Sequence, residues 1–268
     1  MDKKNFVLSA GLVLIPLAVF FGCGNKNLLR PLALPTPTPI PGLAGTATPS
    51  PTTTPTASNT VTPTPVYTAC PFTPTTTPAL IDDMEDNNTQ ILGQKCRNGI
   101  WYSYADSSSS ITPSGTFTMT AGGAGGSLYC ANVFGTVGPS GTLYAAMGFN
   151  LTNPIVAYDL TQGGVYSGIT FDAMAATGTL TAVRFEVSDL NSDTYGGICT
   201  VCTDYPGSNL AFTNSWAPYS VSFASMTQMG YGVPVEAHLN AANAFTISWV
   251  VNSAGATFNF SVDNISLY

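Results

Sequence analysis

Residues with chemical potential gather at a few places along the chain. Asp82, Asp83, Glu85, Asp86, Asn87 and Asn88 crowd one short stretch. That density of side-chain oxygen suits a hard divalent cation, which takes about six to eight oxygen ligands. A solvated acidic turn is the simpler alternative. Farther on, Tyr102 and Tyr104 flank Ser103, so in an extended strand their rings share one side. Arg184 and Glu186 alternate with Val183, Phe185 and Val187, and Asp172 alternates with Phe171 and Ala173. Flat aromatic faces beside planar hydrogen-bonding groups suit a ring with apolar C–H faces and hydroxyl edges. If the outward sides of these strands are concave, all five residues line one groove. A structural ion pair of Arg184 with Glu186 or Asp172 is the competing reading.

Reactive constellations are sparse. His238 is the sole histidine, and no Gly-x-Ser-x-Gly elbow accompanies it. Of the 14 acidic residues, only Asp2 precedes residue 79. So many acids always offer some pair at the roughly 5–10 Å that glycoside hydrolysis needs, so their presence assigns no active site. The expectation is therefore a protein without catalysis. Cys199-Thr-Val-Cys202 has metal-ligand spacing, but zinc would need two further ligands.

The start of the chain is an export signal. Lys3 and Lys4 precede an apolar run from Phe6 to Phe21, followed by Gly22 and Cys23. A cysteine after a small residue at that point resembles the lipobox of bacterial lipoproteins. The resemblance implies a signal peptide over 1–22 and a lipidated N-terminus over 23–30, with Cys23 carrying the lipid. It also implies an extracytoplasmic location in the cell envelope. Gly24, where an Asp would resemble an inner-membrane retention signal, points to the outer membrane or cell surface. Residues 31–78 are rich in Pro and Thr with no recurring apolar position, which predicts a disordered linker unable to bury a core. Extended polyproline II of that length reaches about 150 Å, at about 3.1 Å per residue.

Outside the cytosol, disulfides are the rule for cysteines. Beyond Cys23 stand Cys70, Cys96, Cys130, Cys199 and Cys202. The expected bridges are Cys199–Cys202 and Cys96–Cys130, leaving Cys70 unpaired. Residues 79–268 suit one domain, and Lys95, Arg97 and Arg184 are its only basic residues. So few cations exclude a nucleic-acid footprint.

Period-two runs dominate this domain. They appear in Thr116–Thr120, Leu143–Phe149, Ser167–Ala173, Thr179–Val187, Ala217–Phe223, Phe245–Val251 and Phe258–Val262, separated by Gly, Asn, Ser and Pro. About eight to ten short strands with no amphipathic helix predict an all-β sandwich or barrel. The order of motifs is more specific. Leu80-Ile81-Asp82-Asp83-Met84-Glu85-Asp86 comes first, then Trp101-Tyr102-Ser103-Tyr104, Tyr166-Ser167-Gly168-Ile169-Thr170-Phe171 and Ser215-Trp216-Ala217-Pro218-Tyr219. Gly230-Tyr231-Gly232 and a closing Phe260-Ser261-Val262-Asp263-Asn264-Ile265 follow. This set resembles the galactose-binding-like jelly rolls found as carbohydrate-binding modules, nearest to family eleven.

The resemblance implies a jelly-roll β-sandwich over 79–268 and a polysaccharide partner of the β-glucan type. It also implies a structural calcium (Ca2+) with Glu85 and Asp263 as side-chain ligands. Tyr102, Tyr104, Asp172, Arg184 and Glu186 are the expected sugar contacts. Two rivals stand beside this reading: an adhesive surface protein with an exposed apolar patch, and a polysaccharide-degrading hydrolase with paired acids in a deep cleft.

Overall fold

The computed structural model describes residues 79–268. Two antiparallel sheets face each other. The first runs β10 (Gly207–Ala211), β9 (Ala182–Asp189), β12 (Ala244–Val251), β7 (Ala145–Asn150), β2 (Trp101–Ala105), β4 (Gly115–Thr116). The second runs β11 (Ala217–Ser222), β8 (Gly168–Ala175), β13 (Thr257–Leu267), β6 (Tyr129–Thr136), β3 (Ser110–Thr112). Two short strands join the second sheet: β1 (Ala79–Asp82) pairs with β13, and β5 (Thr120–Ala121) pairs with β6. This is the expected sandwich. Among the described residues, helix is confined to four three-residue 3-10 turns.

Strand parity builds the core. Val183, Phe185 and Val187 of β9 point inward with Ile247, Trp249 and Val251 of β12. Trp249 stacks on Trp101 at 6.0 Å and 11°, and Phe149 meets Trp101 edge-on at 4.8 Å. From the opposite sheet, Phe171 meets Trp249 at 5.2 Å and Phe185 at 5.2 Å. Aromatic pairs in these geometries add about 0.5–1.5 kcal/mol beyond area burial. The sequence reading underestimates the strands, since β6 and β10 lie outside the runs it picks. Thr116–Thr120 is not one strand either. Phe117 and Met119 are buried, but they lie in the connection between β4 and β5.

The cysteines correct one expectation and meet another. Cys199 and Cys202 form a disulfide as anticipated. Cys130 is a free, buried thiol, so the expected Cys96–Cys130 bridge does not form. Cys130 lies on the side of β6 away from the core residues Ala131 and Val133, covered by the preceding turn, with its Sγ 3.4 Å from the Gly122 carbonyl. Cys96 is disulfide-bonded to a cysteine other than Cys130. The leader 1–22, the segment 23–30 with Cys23, and the linker 31–78 with Cys70 lie outside the described residues.

Candidate functional site

The outer face of the first sheet carries the polar side chains. Ser248 of β12 pairs with Glu186 on one side and Gly148 on the other, and Gly148 pairs in turn with Tyr102. One step along, Val250 pairs with Arg184 and Ala146, and Ala146 pairs with Tyr104. The tyrosines of β2 and the charged pair of β9 therefore face each other across three strand spacings, about 14 Å. Between them lie only Gly148, Ala146, Ser248 and Val250. A floor of small residues between two rows of long ones makes a trough.

One wall is aromatic. Tyr102 and Tyr104 rings lie 5.7 Å apart, and Tyr144, just ahead of β7, extends the row 5.8 Å beyond Tyr104. Burial pushes the Tyr102 hydroxyl up to about 12, partly offset by hydrogen bonding with Thr246. Burial also raises Tyr104, whose hydroxyl meets Ser248.

The opposite wall is an ion pair. Arg184 Nε lies 2.9 Å from Glu186 Oε1, with both side chains nearly buried. Burial pushes the Glu186 carboxyl up to about 7 against the pull of the Arg184 charge. Arg184 also donates from Nη2 to the Thr227 carbonyl at 2.6 Å and the Tyr205 carbonyl at 3.4 Å. Its Nη1 donates to Asn209 Oδ1 at 3.4 Å. Arg184 thus positions the loops around the trough instead of offering a free guanidinium.

Two loops roof the trough. One, residues 190–206, carries the Cys199–Cys202 bridge; the other, residues 226–240, pairs with it through Val201 and Val233. Asp204 ties them together. Its Oδ2 accepts from Gly230, Tyr231 and Gly232 N–H at 2.8 Å each, and its Oδ1 from Met229 N–H at 2.7 Å. Gly230 takes φ +98°, which a side chain rarely adopts, and a Cβ at Gly232 would stand 2.7 Å from Asp204 Cβ. The Gly-Tyr-Gly order thereby presents Tyr231, half of it exposed, with its hydroxyl fixed to the Thr203 carbonyl at 2.7 Å. Tyr205 sits within electrostatic reach of Tyr102, Tyr104 and Glu186. Under these groups even the outward side of β12 is buried.

Four of the five expected contacts share this face; Asp172 does not. It lies on β8 in the other sheet, where it accepts from Asn264 Nδ2 at 3.0 Å. Its parity was read correctly, but parity does not tell which sheet a strand joins. Tyr205 and Asp204 escape a reading by period because both lie in loops, and Tyr144 falls inside the Leu143–Phe149 run, where alternation alone does not single it out.

The acidic stretch 82–88 disperses on folding. Buried Asp82 accepts from Trp101 Nε1 at 2.7 Å and is pushed up to about 7 by burial. Asp83 and Asp86 accept from backbone N–H groups two residues ahead. Glu85 alone turns to the loop before β6, accepting from Ser127 Oγ at 2.6 Å, Leu128 N–H at 2.8 Å and Tyr129 N–H at 3.1 Å. Asp263 reaches the same loop, with Oδ2 accepting from Ala124 N–H at 2.7 Å. A Cβ at Gly123 would collide at once with Asp263 Oδ2, Ser127 Oγ and the Tyr129 carbonyl oxygen. Three oxygens of different origin thus converge beside a residue without a side chain, with Glu85 adjoining. That donor set fits a calcium ion. Among the described residues, no group of three or more His, Cys, Asp or Glu side chains forms a metal cluster, so carbonyl and hydroxyl oxygens would complete the shell.

The two-sheet antiparallel sandwich is a fold shared with solved structures. The chain has the fold of a family 11 carbohydrate-binding module from Clostridium thermocellum, solved in complex with a β-1,3-1,4-mixed-linked tetrasaccharide. The two share 18% identity with a TM-score of 0.50, over 71% of this chain and 94% of that one. A family 30 carbohydrate-binding module aligns with a TM-score of 0.50 and 11% identity, over 72% of this chain and 98% of that one. No family model matches the sequence, and no curated protein matches it.

Proposed function

We propose that residues 79–268 form a non-catalytic module that binds a neutral polysaccharide of the β-glucan type, held at the cell surface by a lipid on Cys23. The observation that carries this reading is the trough itself, with the Tyr102–Tyr104–Tyr144 row facing the Arg184–Glu186 pair over a floor of small residues. Tyrosine rings stack on the C–H faces of pyranose units. The mixed-linked glucan bound by the family 11 module names a first ligand to try.

The nearby carboxylates favour binding over hydrolysis. Glu186 is paired with Arg184, Asp204 holds four backbone N–H groups, and Asp193 accepts from Tyr195 N–H at 3.0 Å. Each is committed to the protein. The reading also takes a structural calcium on Glu85, Asp263, Ser127 and the Tyr129 carbonyl. Such an ion would neutralise the two carboxylates and tie the segment after β1, the loop before β6 and the last strand together. The linker supplies reach from an outer membrane or cell surface, and many anchored copies supply avidity for a weakly held neutral sugar.

One observation favours an adhesive, protein-binding reading instead. Tyr195, Ile198, Val201, Met229, Tyr231 and Val233 are all exposed on the two roofing loops. Affinity electrophoresis of the full chain in detergent, through gels containing mixed-linkage glucan, xylan or mannan, separates the two. Retardation by a polysaccharide, lost in Tyr102→Ala, supports the module. Uniform mobility in every gel rejects it and leaves the apolar loops as the working surface. Repeating the run in chelator tests the calcium: an unchanged melting temperature and unchanged retardation would reject the ion.

A further inference from the structure

We infer that the trough continues beyond its tyrosine row into a hydroxyl-lined subsite built by Asp106 and the 138–144 loop, which takes an additional sugar residue of a neutral glycan chain. This rests on the carbohydrate-binding reading. The row runs from Tyr102 and Tyr104 of β2 to Tyr144 just ahead of β7, and Tyr144 lines an open depression of about 400 Å³. That size falls within the roughly 300–1,000 Å³ typical of small-ligand sites. Besides Tyr144 and Asp106, the lining is Ser107, Ser108, Ser140 and Thr142, with Gly141.

The depression is a built feature. Asp106 is its keystone. Its Oδ1 accepts from Ser108 N–H at 2.7 Å and Ser108 Oγ at 2.6 Å, and its Oδ2 accepts from Tyr144 N–H at 2.9 Å. Ser109 Oγ donates to Oδ2 at 2.5 Å and accepts from Gly138 N–H at 2.8 Å. The Asp106 N–H in turn donates to the Tyr144 carbonyl at 3.0 Å. Two loops from distant parts of the chain are thus clasped around one carboxylate, which fixes the Tyr144 backbone against the row. Asp106 is spent on this clasp and acts as a positioning residue. The exposed residues Ser107, Ser140 and Thr142 are left to meet ligand hydroxyls. Small hydroxyls around a carboxylate already saturated by its own loops select a neutral, hydroxylated unit.

The test is calorimetric titration of the full chain with mixed-linkage gluco-oligosaccharides from trimer to hexamer. For the wild type, the step from trimer to hexamer should raise affinity about tenfold, the worth of a ring contact and one or two hydrogen bonds. Tyr144→Ala, a change in the row itself, should weaken every length and the hexamer most. The double variant Ser140→Ala, Thr142→Val, at exposed positions that do not threaten folding, should lose part of the gain with length. Tyr102→Ala should weaken every length. If the Tyr144 and Ser140/Thr142 variants bind all lengths as the wild type does, while Tyr102→Ala fails, the subsite is wrong and the module reading stands. Failure of the wild type to bind any length removes both.

Discussion

Arg184 Nε sits 2.9 Å from Glu186 Oε1, yet the same guanidinium also holds the carbonyls of Tyr205 and Thr227, one from each loop around the trough. One side chain therefore links the wall of the trough to its roof. Truncation would strip Glu186 of its counter-charge and the Tyr205 and Thr227 carbonyls of the guanidinium, leaving Thr227 only the Gly207 N–H at 3.0 Å. Breaking a largely buried pair from one side costs about 3–5 kcal/mol. Arg184→Ala should lower urea-unfolding stability by about 3 kcal/mol and abolish glycan retardation together. Arg184→Lys should recover little, because a single ammonium cannot span these partners. A variant of wild-type stability would show that the loops stand without it.

Stability should fall as pH rises toward 7. Glu186 ordinarily titrates at 4.5 and Asp82 at 3.8, and burial pushes each up to about 7 in the folded chain. Between those values the native state holds protons that the unfolded state has released, so raising the pH favours unfolding. The urea midpoint should be higher at pH 5 than at pH 8. Asp82→Asn, which keeps an acceptor for Trp101 Nε1, should flatten that slope. A midpoint that climbs from pH 5 to 8 in the wild type would overturn the assignment.

Asp204 receives four backbone N–H groups from a single turn, so its loss should act locally. Bonds of this charged kind are worth about 1.5–3 kcal/mol each in isolation and less as a set. In Asp204→Ala, amide exchange at Met229–Gly232 should rise by orders of magnitude, while β12 amides stay protected. Equal acceleration at both places would mean that Asp204 supports the whole sandwich.

Cys130 should be silent toward thiol reagents in the native protein. It is buried on β6, and burial pushes its thiol up to about 11. Without thiolate or access there is no nucleophile. Titration with a disulfide reagent should show its thiol only after denaturation. Immediate reaction under native conditions would place Cys130 elsewhere.

How much of this the sequence discloses depends on whether the information is local. The outward parity of Tyr102, Tyr104, Arg184 and Glu186 follows from alternation within single strands, and the structure keeps all four on one face. Asp172 shows the same alternation yet lands on the other sheet, because the pairing of β8 with β11 and β13 is set by distant residues. The disulfides divide the same way. Cys199–Cys202 closes a three-residue step, whereas no local spacing tells that Cys130 stays a free, buried thiol on β6. Asp204 and Asp106 do their work from loops, where no period marks them and only the folded backbone shows what each one holds.

The stacked indoles of Trp101 and Trp249 have a consequence for observation. Both are sealed in the core, 6.0 Å apart and nearly parallel, while Trp216 stands half-buried outside that stack. Indoles so disposed share excitation, which gives the folded sandwich its own near-ultraviolet dichroism. The chain thus carries an intrinsic optical gauge of its core, placed behind the floor of the trough and apart from the tyrosines that would meet a ligand. Binding and packing can then be followed as separate colours of the same spectrum.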